Sequence, residues 1–254
     1  MIPSLFLSHG SPYIAIETTE YTRFLDQLGS RYQPKAIVIF TAHWEAQTLT
    51  ISSMDEIYDT IYDFGGFPEL LSLTYPARGS KVVAEMVRSR FETAGISAAF
   101  DTERGLDHGT WTLLRRIYPE ANIPVVQLSV HPFLPAEEQL RIGEALYGLG
   151  EEDILVIGSG ATVHNLRQVR FGAQDTDAWA SAFDDWLIER ISSGAREDIA
   201  AYMELAPDAA RAVPRPEHFV PLLLALGSGG PAATGTVLHR SYDHGNLSYL
   251  AVEF

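Results

Sequence analysis

Four short apolar runs, each closed by turn-forming residues, give the chain its rhythm: Ser4 to Ser8, Ala36 to Phe40, Val125 to Val130 and Ile154 to Gly158. Runs of this length between Gly, Ser, Pro or Asp predict buried strands. Between them, apolar residues recur at helical spacing over Lys81 to Ala94 and Ala136 to Leu149. Further on, the spacing predicts helices over Ala178 to Ser193, Arg196 to Leu205 and His218 to Leu226, the last opening behind Pro214 and Pro216. Thr236 to Arg240 and Leu247 to Phe254 read as strands joined through Asp243-His244-Gly245-Asn246. Strand alternating with helix predicts an α/β fold with a mostly parallel central sheet flanked by helices. No repeat, low-complexity tract or linker interrupts it, so residues 1–254 are expected to form a single domain. A domain of this size buries roughly three quarters of its unfolded surface and needs no staples.

Composition narrows the chemistry. The chain has no cysteine, which excludes disulfides, thiolate metal sites and a Cys nucleophile and suits a reducing compartment. Any metal must be held by nitrogen and oxygen. The formal net charge of −15 comes from scattered acids and repels phosphate backbones, so no nucleic-acid partner is expected. The N-terminus lacks the basic segment of a signal peptide, and no run approaches the roughly 20 apolar residues of a membrane span. A soluble, cytoplasmic protein with no membrane association is expected. The apolar face of Ala178 to Ser193 suits either the core or a second subunit, hence a monomer or a small homo-oligomer.

Histidine carries the site. Six of the eight histidines lie in Gly-, Ser-, Asp- or Pro-marked segments, and His9, His43 and His164 follow apolar runs. In an open α/β sheet, ligands bind beyond the carboxyl ends of strands, so such residues converge although distant in sequence. His9 opens His9-Gly10-Ser11-Pro12, and His43 lies in Thr41-Ala42-His43-Trp44. His164 follows Gly158-Ser159-Gly160, which lacks the third glycine of a dinucleotide fingerprint and the Lys of a P-loop. His108, in Gly105-Leu106-Asp107-His108-Gly109-Thr110-Trp111, reads as a loop opening a helix, where the dipole favours a neutral imidazole. Asp107 is either its partner or the helix N-cap. His218 opens a helical segment, His244 sits in a turn, and His131 and His239 read as structural or surface residues. Tyr62-Asp63-Phe64-Gly65-Gly66-Phe67-Pro68 reads either as an aromatic-clamped loop or as the wall of a pocket for a flat ring.

Taken in order, these segments, together with Val163-His164-Asn165-Leu166-Arg167 and Glu217-His218-Phe219-Val220-Pro221-Leu222, resemble the DODA-type extradiol ring-opening dioxygenases of the class III superfamily. The resemblance spans nearly the whole chain. It implies a single catalytic domain, residues 1–254, holding one divalent metal at the carboxyl ends of strands. Fe(II) is expected for activity, and Zn(II) is possible in the isolated protein. It implies His9, His43 and His218 as metal ligands, and His164 as ligand or catalytic base. His108 is implied as a second active-site histidine, and Tyr62, Phe64 and Asn165 are expected at the substrate. The partners implied are a small aromatic diol and O2. Two departures stand out. His218 occupies the position where better-known class III enzymes place a carboxylate, and Gly65 replaces an aromatic. The expected reaction is extradiol cleavage of a catechol, with His164, or else His108, moving the second hydroxyl proton. The alternatives are a zinc hydrolase on the same histidines and a non-enzymatic binding protein.

Overall fold

A computed structural model describes residues 1–254. Its centre is one eight-stranded sheet in the order β4-β3-β5-β2-β6-β1-β8-β7. The strands are β1 (Leu5–Ser8), β2 (Ala36–Glu45), β3 (Leu49–Ser52), β4 (Ala98–Asp101), β5 (Val125–Val130), β6 (Ile154–Gly160), β7 (Thr236–Asp243) and β8 (Leu247–Glu253). The inner strands β5, β2, β6 and β1 are parallel, and the antiparallel pairs lie outward at β3/β5, β1/β8 and β7/β8. Inner strands covered on both faces must be apolar throughout, which is why these four stand out in the sequence.

The helices are α1 (Glu20–Leu28), α2 (Lys81–Thr93), α3 (His108–Ile117), α4 (Ala136–Glu144), α5 (Ala178–Ser193), α6 (Arg196–Ala200), α7 (Tyr202–Leu205), α8 (Ala209–Ala212) and α9 (Val220–Ser228). Alternating side chains divide them between two faces. Leu5, Leu7, Ile37, Ile39, Leu155 and Ile157 pack with Leu25 and Leu28 of α1 and Trp111 and Leu114 of α3. Phe6 points the other way, onto Phe183 and Leu187 of α5 and Leu222 and Leu226 of α9. Val38, Phe40, Val126 and Val156 join Val87 and Phe91 of α2, Ile142 of α4 and Leu224 of α9. Every residue of α9 is buried, and each of its leucines contributes about 2 kcal/mol of burial.

Several predicted boundaries move. β2 continues past Phe40 to Glu45 with a register break against β5, so His43 lies inside the strand rather than beyond it. The helix expected to reach Leu149 ends at Glu144, and Arg196 to Leu205 divides into α6 and α7. His218 closes a 3-10 turn over Pro216–His218, and α9 starts at Val220. Four elements lie outside the prediction, among them the single-turn α8. α1 is set by a reciprocal Thr19/Thr22 capping box, while β3 and β4 are four-residue outer strands too short to show a period. No helix is long and apolar enough to cross a membrane.

Candidate active site

β6 lies between β1 and β2 although it follows both in sequence, so the carboxyl ends of these three parallel strands open side by side. β1 delivers His9, β2 delivers His43, and the turn after β6 delivers His164. α3 brings His108 as its first residue, and the turn before α9 brings His218. The His9 ring centroid lies 4.8 Å from that of His43, 5.5 Å from His108 and 5.1 Å from His218. His43 is 3.9 Å from His108 and 5.1 Å from His218, and His164 stacks on His218 at 3.6 Å. Thus all five histidines named for the site from sequence converge. The other three stay apart: His244 packs on Phe171, His239 on Tyr21 and Phe24, and His131 lines a separate cavity with Gln139 and Leu134.

Two glycines make this approach possible. At Gly160 a side chain would meet the His218 carbonyl oxygen at 2.1 Å, so the end of β6 can touch the turn carrying His218 only without one. The contact is then fixed by the Ala161 amide donating to that carbonyl at 2.8 Å. Gly10, beside His9, has φ +53 and lies under the Tyr249 ring, 1.9 Å from where a Cβ would stand.

The far nitrogen of four rings is engaged by an oxygen. His9 Nδ1 lies 2.9 Å from Ser159 Oγ, whose own proton goes to the Gly109 carbonyl at 2.5 Å. Ser159 therefore accepts, and His9 Nδ1 donates. His43 Nδ1 faces Asp63 Oδ2 at 3.1 Å, His108 Nδ1 faces Asp63 Oδ1 at 2.9 Å, and His218 Nδ1 faces Glu217 Oε1 at 2.9 Å. An ionised carboxylate only accepts, so each of these Nδ1 atoms carries a proton, and a ring with no second proton presents a bare Nε2 lone pair. Burial lowers the pKa of His9, His108 and His218, and lowers that of His164 to about 4. These four imidazoles are neutral at pH 7. Burial would raise Asp63, but the hydrogen bonds from His108 and His43 outweigh it and hold the carboxyl well below its usual range.

His9 Nε2 and His43 Nε2 lie 3.0 Å apart. Two bare lone pairs at that distance repel unless a proton or a cation lies between them. A set of buried imidazole nitrogens braced from behind by carboxylates and a hydroxyl is the donor chemistry of a Zn(II) or non-haem Fe(II) site. The residues present therefore fit one divalent metal. The ligand atoms group as His9, His43 and His108 within 4.8 Å of one another, and as His164, Glu217 and His218.

Around the metal-ready nitrogens, Phe64 stands 5.5 Å from the His108 ring and 5.8 Å from Phe67, which in turn packs on Tyr13 at 4.8 Å. Tyr62 turns its hydroxyl to the Leu73 carbonyl at 2.8 Å and packs its ring on Trp111. Asn165 donates to the Arg211 carbonyl at 2.8 Å and accepts from the Arg167 amide at 3.2 Å, so both ends of its amide already hold backbone. Asp107 occupies the N-cap position of α3 without a side-chain cap bond. It instead accepts from Thr41 at 2.7 Å and pairs with Arg104 at 3.2 Å. The partner of His108 is Asp63. Sequence reasoning assigned no role to Asp63, Ser159 or Glu217. The one visible signal was an acid set among aromatics at 62–67.

An α/β sheet with a histidine metal centre at its carboxyl edge is the architecture of a metal-dependent enzyme. Residues 3–252 match the family described as the catalytic LigB subunit of aromatic ring-opening dioxygenase. The chain is 38% identical over 257 residues to a 4,5-DOPA dioxygenase extradiol of Beta vulgaris, covering 99% of this chain and 96% of that protein. It is 37% identical to the 4,5-DOPA dioxygenase extradiol of Escherichia coli K12, covering 99% and 94%. The crystal structure of an uncharacterized protein of Escherichia coli K12 superposes with a TM-score of 0.84 at 31% identity over the whole of both chains. The chain belongs to this family of ring-opening dioxygenases, and its reaction class is that of an oxidoreductase.

Proposed function

We propose that the protein cleaves a small catechol in extradiol fashion with O2, residues 1–254 acting as one catalytic domain, and that His9, His43 and His218 hold the metal. The observation that carries this is the facing pair His9 Nε2 and His43 Nε2, with the bare Nε2 of His218 belonging to a ring 5.1 Å from both. Leaving His108 out of the triad frees it for the substrate side, where Phe64 forms the wall. Fe(II), when bound, would acidify the catechol and provide the electron path to O2. Zn(II) suits the same nitrogens but supplies no such path.

The chain's own residues do the rest. Phe64 and Phe67 offer faces for a flat ring and exclude water from one side of it. His164, neutral at pH 7, takes the second catechol proton and returns it to the opening ring, while His108 hydrogen-bonds substrate or dioxygen. A second reading exchanges these roles. Of the two, His108 is the one whose far nitrogen rests on a carboxylate, which stabilises the imidazolium formed by proton uptake.

The test is oxygen uptake by protein stripped of metal and reloaded anaerobically with Fe(II) or Zn(II), against catechols including DOPA. Uptake with a coloured ring-opened product, confined to the Fe(II) form, is the expected result. Tight zinc binding at one per chain with no uptake under either metal would replace this reading with a hydrolytic or binding role.

A further inference from the structure

We infer that Asp63 is a positioning residue whose single carboxylate fixes the tautomers of His43 and His108 together and so aims both Nε2 lone pairs at one centre. This rests on the reading of His43 as a metal ligand. Asp63 Oδ1 accepts from the His108 amide at 3.0 Å and from His108 Nδ1 at 2.9 Å, while Oδ2 faces His43 Nδ1 at 3.1 Å. Three donors thus converge on one anion, and two of them belong to rings 3.9 Å apart. A neutral imidazole has one ring proton. A carboxylate behind Nδ1 holds it there and leaves Nε2 free in front.

The placement is specific to the loop. Ile61 is tied to the α3 side, its amide donating to the Leu106 carbonyl at 2.8 Å and its carbonyl accepting from Trp111 Nε1 at 3.1 Å. From that anchorage, Asp63 Oδ2 reaches across to β2. The nearby Asp107 cannot replace it, because Thr41 and Arg104 already occupy its oxygens. The same loop carries Phe64, so the aromatic wall is held against the metal-ready histidines through the residue that sets their tautomers.

Asp63→Asn separates this role from packing, since shape and volume are kept. The amide has one acceptor and one NH2 group. Two donors of His108 hold its oxygen on their side, so the NH2 turns to His43 and moves that ring's proton to Nε2. Ring nitrogens read by long-range 15N correlation spectra of the metal-free protein should show Nδ1–H at both His43 and His108 in the wild type. In Asp63→Asn, His43 should switch to Nε2–H while His108 keeps its tautomer, and Co(II) affinity should fall about 10- to 100-fold. Asp63→Glu, which restores a carboxylate, should recover part of that affinity. If Asp63→Asn does not fold, Asp63→Ala is read by Co(II) affinity alone, which should fall at least as far. Absence of Nδ1–H at His43 or His108 in the wild type, or unchanged His43 tautomer and Co(II) affinity in the variant, overturns the inference. Neither readout needs ring cleavage, so an inactive protein that passes both would refute the proposed reaction and leave Asp63 in place.

Discussion

Two buried polar clusters lie close together in this fold and are built on opposite plans. Around Asp184, wholly buried on α5, every donor points inward to one carboxylate: Thr162 at 2.7 Å, Tyr242 at 2.8 Å and Ser248 at 2.6 Å. Around the histidines the bonds point outward. Ser159, Asp63 and Glu217 engage the far nitrogens, and the near nitrogens are left facing one another. A buried polar group is stable only when its partners are supplied. The Asp184 cluster is complete within the protein and ties β7, β8, α5 and the turn before His164 together. The histidine cluster is complete only with something added, and that is the mark of a site.

Removing ligands tests this contrast most severely. His218→Ala should lower metal affinity by about a thousandfold or more, beyond the 10- to 100-fold of losing an outer partner, while His108→Ala should leave it within a few-fold. Isothermal titration with Zn(II) distinguishes them, and the reverse outcome would make His9, His43 and His108 the triad. Metal at a hundred times its dissociation constant should stabilise the wild type by about 2.7 kcal/mol and give His43→Ala almost none of this. Thermal melts with and without metal provide that measurement.

Asp184→Ala should cost about 3 kcal/mol in denaturant unfolding, because it strands the buried hydroxyls of Thr162 and Ser248 and frees the half-buried Tyr242, yet leave one metal bound per chain. Burial raises the Asp184 carboxyl above its ordinary value despite its three donors. The folded state then holds that proton to higher pH than the unfolded chain does. The stability it contributes is full below the unfolded value and is lost as pH rises through the folded one. Asp184→Asn should abolish that decline, seen as a flatter stability profile on the acid side of neutrality.

Gly160→Ala is expected to cost about 2 kcal/mol by overpacking against the His218 carbonyl, and to weaken metal binding with it. Loss of stability with unchanged metal affinity would show that the turn carrying His218 adjusts independently of β6. At the small end, Lys35→Ala breaks the exposed Lys35–Asp153 pair and should leave melting and metal binding unchanged.

Much of the fold was readable from the chain because its four inner strands are apolar on both faces and are punctuated by turn residues. The same feature pointed to His9 and His164 at strand ends and, with one error of placement, to His43. β3 and β4 escaped because four residues at the edge of a sheet carry no period, and the length of β2 escaped because polar Thr41 and His43 interrupt the run on which its end was judged. Asp63, Ser159 and Glu217 escaped for a different reason. Their role lies in which ring nitrogen they face, a relation between atoms that no spacing along the chain expresses.

Residue chemistry and order were enough to indicate the class of fold and to exclude thiolate ligands, and with the family resemblance they named five histidines that the structure brings together. Tertiary structure alone decided which of them face one another, which nitrogen four of them turn to an oxygen, and that one carboxylate on an aromatic loop serves two rings. Periodicity records burial, a property of single residues. Tautomer and ligand geometry arise only when strands far apart in sequence end side by side.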